Sequence, residues 1–282
     1  MISQKLLSRI SGRLPVPSVS LQKIFGVLRS PDASATDIAD AIKLDPSLSA
    51  KVLRLANSAY IGLPRAVSSV HHAVVLLGIR RIHSLVITCE LLSPCRDLAL
   101  FPFSIDRFRT HSVIVAFIAE AIGKHLRRYY YIDERELFSG ALLHDIGKLL
   151  AAVAEPDTVE EIHIRSRGLS IPFYRAENDS FSHTVFGQYL AEVWGLPLEL
   201  AACIRGHHTA FCFPEYHRLV SIVHVADVMA HLIGYSVYED EVTPAIDDAA
   251  LSEIDLPVER LRVIADEILA HEDQISSLLE IL

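Results

Sequence analysis

Apolar residues recur every three or four positions along nearly the whole chain, a spacing that predicts helices and little else. Ser34 to Leu44 opens with a capping-box pattern, Ser34 as N-cap and Asp37 at N3, and puts Ile38, Ala41 and Ile42 on one face. Asp45-Pro46 repeats the start signal and leads a helix carrying Leu48, Val52, Leu53 and Leu55 to about Asn57. Gly62 and Pro64 mark a loop, Ser68 or Ser69 caps a helix through Leu77, and Gly78 separates it from another over Ile79 to Leu92. Pro94 and Pro102 bracket an irregular connection.

A second set of helices begins near Asp106. Ile105 to Leu126 carries the stripe Val113, Phe117, Ile118, Ala121 and Ile122, with His111 near its start. Asp133 caps a helix that runs through Leu137, Ala141 and Leu142 into His144-Asp145. Glu155 to Gly168 reads as a more polar helix, and Asp179 or Ser180 starts one that ends at Gly195. Pro197 begins a helix ending at Gly206-His207-His208; Tyr216 to about Ile233 follows, with Asp227 inside it. Gly234 to Leu256 reads as an exposed acidic loop, and Pro257 to Leu282 as one or two closing helices. Strand-like alternation is scarce and no βαβ pattern occurs, so the fold class is all-α. The division expected is a helical lobe over residues 1–95, a helical core over 96–233, and the acidic loop with closing helices over 234–282.

Composition narrows the function classes. Of 282 residues 51% are apolar, enough for a substantial core, and the net charge of −9 argues against binding nucleic acid through its phosphates. No run approaches the roughly 20 apolar residues of a membrane helix, and the N-terminus lacks the apolar region of a secretory signal. Four scattered cysteines without CxxC spacing fit a reduced interior, so a cytoplasmic, soluble protein is expected.

The chemistry is concentrated in histidines and aspartates. His111, His144, Asp145, His183, the doublet His207-His208 and Asp227 each stand on or beside an apolar periodic segment. Imidazole with carboxylate suits iron, manganese, nickel or zinc, and is a poor cage for magnesium or calcium. Asp145 is placed to bridge two cations. His111 and Asp227 would complete the first metal, and His183, His207 and His208 would surround the second. A water between two metals is a nucleophile for phosphorus, and Lys148, one turn beyond Asp145, is placed to meet a phosphate oxygen; Asp145 and Lys148 are therefore the catalytic candidates. An aspartate beside Leu142-Leu143 is costly to bury without a partner, which makes His144-Asp145-Ile146-Gly147-Lys148 the most telling string. Among 14 histidines, His125, His163, His217, His224 and His231 read instead as surface or satisfied helix residues.

Two stretches resemble the HDOD family, bacterial signalling modules related to HD-type phosphohydrolases. One runs through Leu14-Pro15-Val16-Pro17, Ser30-Pro31-Asp32-Ala33-Ser34, Leu44-Asp45-Pro46-Ser47-Leu48, Leu53-Arg54-Leu55-Ala56-Asn57-Ser58 and Val74-Val75-Leu76-Leu77-Gly78. The other is His144-Asp145-Ile146-Gly147-Lys148 with Gly187, Trp194-Gly195-Leu196-Pro197 and His207-His208. The resemblance implies a helical lobe packed on an HD-like helical core and a role in signal transduction. The family's metal positions fall on His111, His144, Asp145, His183, His207, His208 and Asp227, all retained. A divalent metal, one or two ions, is the implied cofactor. The implied partner is a signalling protein or a phosphorylated small molecule, and the alternative is an active phosphohydrolase. Related cyclic-di-GMP phosphodiesterases continue after the doublet into Gly-Tyr-Pro; this chain reads Thr209-Ala210-Phe211-Cys212-Phe213-Pro214, which argues against that substrate. Arg54 and Asn57 are expected to order the loop through Gly62.

Overall fold

Ser34 and Asp37 each bond the other's backbone, at 3.2 and 2.9 Å, and so close the start of helix α1 (Ala35–Lys43). Asp45 caps α2 (Pro46–Ala56) by accepting from the Leu48 amide at 3.1 Å, with Pro46 in the first turn. Ser69 caps α3 (Val70–Leu77). These polar stops satisfy amide groups that the first helical turn leaves unpaired. The computed structural model describes residues 34–79, 81–82, 86, 88, 100, 102–130, 132, 134–178, 181–209 and 213–282, with 23, 24, 26 and 27. The expectations for the N-terminal segment, for most of the helix over 79–92, for caps at Asp133 and at Asp179 or Ser180, and for Cys89, Cys95 and Cys212 lie outside the described residues.

The chain divides into two compact units, one containing Asp97–Ile268, the other Pro15–Arg96 with Leu269–Leu282. The smaller unit packs α1, α2 and α3 on one another through Ile38, Ile42, Leu48, Val52, Leu55, Val74 and Leu77. Asn57 ties its loop shut: Oδ1 accepts from the Val67 amide at 2.6 Å, and Nδ2 donates to the Val67 and Leu53 carbonyls, both at 2.8 Å. Asn57 thus holds the turn in which Gly62 takes a left-handed φ of 65°. Α14 (Glu272–Leu279) belongs to this unit and buries Ile275 and Leu278.

The larger unit is built around α4 (Ile105–Leu126), which pairs with α5 (Glu134–Leu143) and α11 (His217–Leu232). Α4 was expected to show one apolar stripe; instead Val113 through Glu120 are buried without interruption, as in a helix enclosed by neighbours. Around it stand α6 (Ile146–Ala154), α7 (Pro156–Leu169), α8 (Phe173–Ala176), α9 (His183–Trp194), α10 (Leu198–Gly206), α12 (Asp248–Ile254) and α13 (Val258–Leu269). Each fully buried Leu, Ile or Phe contributes about 1.5–3 kcal/mol, and this unit holds dozens of such groups in its interior. The described residues form no β-strand beyond two isolated bridges, so the protein is all-α.

Two sequence expectations are corrected. Glu136–Ala154 is long and apolar enough to cross a membrane, although no such run was expected; 94% of its most apolar window is buried inside the protein, as the core pair α5–α6. The acidic segment from Gly234 is not simply exposed: Val237 and Tyr238 have no accessible surface, and Asp248–Ile254 is helical. Its aromatic and aliphatic side chains anchor it, while Asp240, Asp247 and Asp248 remain outside.

Candidate metal centre

Six helices deliver their chemistry to one point. His111 comes from the second turn of α4, His144 and Asp145 from the turn between α5 and α6, and His183 is the first residue of α9. His207 and His208 follow α10, and Asp227 sits mid-way along α11. Asp145 occupies the N-cap position of α6 but makes no capping bond with its side chain. A residue suited to satisfy helix amides thus turns its carboxylate inward. His111, His144, Asp145, His183, His207 and Asp227 are each at most 1% exposed.

The imidazoles are held so that one nitrogen of each faces inward. His111 Nδ1 donates to the Tyr235 carbonyl at 2.7 Å, His144 Nδ1 to the Ala141 carbonyl at 2.6 Å, and His207 Nδ1 to the Ile204 carbonyl at 3.1 Å. Glu177 Oε1 accepts from both His183 Nδ1, at 2.6 Å, and the His183 amide, at 2.9 Å, so one carboxylate orients the ring and caps α9. Carbonyls and carboxylates only accept, so Nδ1 carries the hydrogen in all four rings and Nε2 of the neutral ring presents a bare lone pair. Such outer partners commonly fix metal-ligating histidines.

Those lone pairs converge on two places. His111 Nε2 lies 3.3 Å from His144 Nε2 and 3.3 Å from Asp227 Oδ1. His183 Nε2 lies 3.3 Å from His207 Nε2. Asp145 spans both: Oδ2 is 3.5 Å from His111 and 3.4 Å from His144, and Oδ1 is 3.4 Å from His183 and 3.4 Å from His207. When both rings of a pair are neutral, two such nitrogens cannot hydrogen-bond each other. Ligand atoms about 2.1 Å from one cation, in tetrahedral or octahedral array, stand about 3.0–3.4 Å apart, which matches these spacings. His111, His144 and Asp227 form one group with ligand atoms within 4.8 Å of one another; His183, His207 and His208 form another, and His144, Asp145 and His207 a third. The residues fit a divalent cation by donor type, spacing and orphaned buried acceptors, since Asp145 Oδ1 and Asp227 Oδ1 find no hydrogen-bond partner among the described residues.

Electrostatics point the same way. Burial alone would raise Asp145, but the ammonium of Lys148 and the imidazole of His144 hold it well below the usual carboxylate range. Asp227 is likewise held low against its burial by His111, His144 and His231. Burial opposes charge on His144, yet Asp145 and Asp227 outweigh it and raise its pKa to about 10. His207 goes the other way: burial prevails over Asp145 and lowers it to about 4. Without a cation the centre therefore holds its positive charge on Lys148 and on the His111–His144 side.

Lys148, expected to meet a phosphate oxygen, faces two carboxylates. Its Nζ is 2.8 Å from Asp145 Oδ2 and 3.7 Å from Glu241 Oε1, and it lies beside the stacked pair of Phe173 and Tyr238, 6.0 and 5.9 Å from their centroids. The structure brings together all seven metal candidates, with His208 at the rim. His208 is partly exposed, neither of its nitrogens has a hydrogen-bond partner among the described residues, and the Tyr174 ring stacks on it at 4.0 Å.

Several surrounding residues were not singled out from the sequence. Glu177 lies six positions before His183 in a loop, and no periodicity marks it. Glu241 belongs to the acidic segment read as exposed, yet its side chain is 3% exposed. His231 and His224 were set aside as ordinary helix histidines. His224 is indeed satisfied, by the His207 carbonyl at 2.7 Å and the Asp247 amide at 3.0 Å. His231 instead reaches Asp227 Oδ1 at 3.4 Å, and its spacing of four residues from Asp227 was a usable signal.

Known proteins share this architecture. A crystal structure of an HDOD domain protein with unknown function from Geobacter sulfurreducens is 25% identical, with a TM-score of 0.68 over 98% of this chain and 94% of that one. A candidate phosphohydrolase from Shewanella amazonensis SB2B superimposes with a TM-score of 0.72 at 22% identity, over 99% of this chain and 98% of that one. An uncharacterized protein of Treponema pallidum (strain Nichols) is 24% identical over 242 residues, 84% of this chain; the chain spans 46% of the length of that relative. The HDOD domain model matches residues 14–210, from ahead of the Ser34 cap to beyond His208, and the chain belongs to the HDOD domain family.

Proposed function

We propose that this protein is a signalling or regulatory HDOD protein whose larger unit holds a dinuclear divalent-metal centre and acts through a ligand or a protein partner. The observation that carries this reading is the carboxylate of Asp145, whose two oxygens face separate sets of bare imidazole nitrogens. His111, His144 and Asp227 would hold one cation; His183, His207 and His208 the other. The donor set favours iron, manganese, nickel or zinc. The partner is a signalling protein or a phosphorylated small molecule, and the expected compartment is the cytoplasm.

A metal-dependent phosphohydrolase is the second reading, and the bridging geometry favours it. Bound cations of this kind supply an activated water for attack on phosphorus. The chain's own residues would then orient that water through Asp145, keep the site dry by burial, and admit a phosphoryl group past His208. Against turnover stands Lys148, whose ammonium already pairs with Asp145 at 2.8 Å and faces Glu241 at 3.7 Å.

Elemental analysis of wild type and Asp145→Ala, with hydrolysis of bis(p-nitrophenyl) phosphate assayed alongside, tests both. About two ions per chain, lost in the variant and without hydrolysis, is the expected result. Hydrolysis that disappears with Asp145→Ala would turn the reading to the enzyme. A wild-type chain that takes up no metal after reconstitution overturns both.

A further inference from the structure

His231 is an imidazole beside the centre that neither reading uses. It stands one turn after Asp227 on α11, so the two side chains share a face. Its side chain is 1% exposed, and its ring meets that of His111 edge-on, 5.2 Å between centroids and 66° between planes. Nε2 lies 3.4 Å from Asp227 Oδ1, whereas Nδ1 is buried with no hydrogen-bond partner among the described residues. Burying an imidazole on such terms costs free energy unless one strong polar contact is made, and Asp227 is the contact available. His231 does not join the group His111, His144 and Asp227, whose ligand atoms lie within 4.8 Å of one another. Its place is one shell further out.

We propose that His231 is a positioning residue for the metal centre: its Nε2, 3.4 Å from Asp227 Oδ1 and just short of a formed hydrogen bond, is placed to donate to that carboxylate when a cation binds and to hold it in the orientation that presents an oxygen to the cation shared with His111 and His144. This rests on the metal-centre reading above. It reverses the usual arrangement, in which a carboxylate orients a ligating imidazole, as Glu177 orients His183. The carboxylate of Asp227 has no other hydrogen-bond donor on its own helix face, because the residues one turn before it are Val223 and His224, and His224 is committed to His207 and Asp247.

The test uses the full chain with cobalt(II) as probe, titrated by calorimetry and by its visible absorption. His231→Leu keeps most of the volume and removes the donor; His231→Gln keeps an N–H of similar reach. Loss of an outer hydrogen bond to a ligand typically weakens metal binding about 10–100-fold. That loss is expected for one of the cobalt ions in His231→Leu, with altered absorption bands, and His231→Gln should recover most of it. If His231→Leu fails to fold by circular dichroism, His231→Asn, whose amide is too short to span the gap, takes its place with the same loss expected. Wild-type affinity and bands in His231→Leu overturn the proposal, as does a glutamine variant as weak as the leucine one. A wild type that binds no cobalt would sink the metal centre itself.

Discussion

A Cβ on Gly147 would run into the backbone carbonyl oxygen of His183. It would also lie 2.7 Å from the Gly187 amide nitrogen, so α6 and α9 touch backbone to backbone where each begins. Gly187 completes the crossing, since a Cβ there would meet Ile204 of α10 and stand 3.4 Å from the Gly147 nitrogen. This close approach carries His183 to within 3.4 Å of Asp145, two residues before Gly147.

Gly147→Ala should therefore separate the helices and the ligands with them. The obstructing atoms are backbone and cannot rotate aside, so a destabilisation at or above the usual overpacking cost of about 1–3 kcal/mol is expected. Chemical denaturation of metal-free protein measures it. Metal uptake should fall in parallel, on the His183–His207 side first. A variant with unchanged midpoint and metal content would show that the two helices have room that the crossing denies.

Glu177 governs His183 from outside the metal positions. Glu177→Ala removes the acceptor for Nδ1 and the cap on the α9 amide together. A loss of about 10–100-fold in affinity for one cation is expected, the other being retained, with a helix-cap cost of about 1 kcal/mol. Glu177→Gln, which still accepts through its amide oxygen, should restore the cap more fully than the affinity. Equal affinity in wild type and Glu177→Ala, measured by chelator competition, would remove Glu177 from the centre.

The ends of helices were the most legible part of this fold. Ser34, Asp45 and Ser69 act as local caps, and Ile105–Leu126 is a helix over its expected length, because capping and periodicity are settled within a few residues. His111, His144, Asp145, His183, His207, His208 and Asp227 were expected as a set from residue type, from their places beside apolar segments and from the HDOD resemblance. What brings them together was not. The inward turn of Asp145, the carbonyl of Tyr235 behind His111, and Glu241 beside Lys148 all depend on segments far apart in sequence. Tyr238 shows why the acidic segment misled: an aromatic anchor stacked on Phe173 at 4.4 Å draws a charged loop inward, and net charge along the chain does not reveal it.

Lys148 supplies positive charge to Asp145 when no cation does. Burial disfavours its charge, but Asp145 and Glu241 more than offset that and push its pKa above the usual lysine value. Lys148→Met leaves a buried carboxylate short of its partner, a change that typically costs about 3–5 kcal/mol. Metal ions restore positive charge at the same oxygens, so the variant should lose more stability without metal than with it. Thermal melts of both proteins, in chelator and in manganese or zinc, give the comparison. Equal losses in the two conditions would mean that Lys148 serves packing beside the Phe173–Tyr238 stack instead.

Protons and cations compete for the same nitrogens, and the two halves of the centre differ in how hard the protons hold. In metal-free protein His144, raised to about 10 by Asp145 and Asp227 against its burial, is charged at neutral pH. His207, lowered to about 4 chiefly by burial, is bare there. The stability that His144 gains from its carboxylates is complete below its unfolded value near 6.5 and is lost as pH rises through about 10. A cation entering beside His144 must displace that proton; one entering beside His207 need not. Metal affinity on the His111–His144 side should consequently rise with pH between neutrality and about 10, approaching tenfold per pH unit for each proton released. Calorimetric titration in two buffers of unlike ionisation enthalpy detects the release directly. Binding heats that differ between buffers in wild type, and agree in His144→Ala, are expected. Heats that agree in wild type would show that His144 already stands neutral, and that Lys148 alone balances the two aspartates.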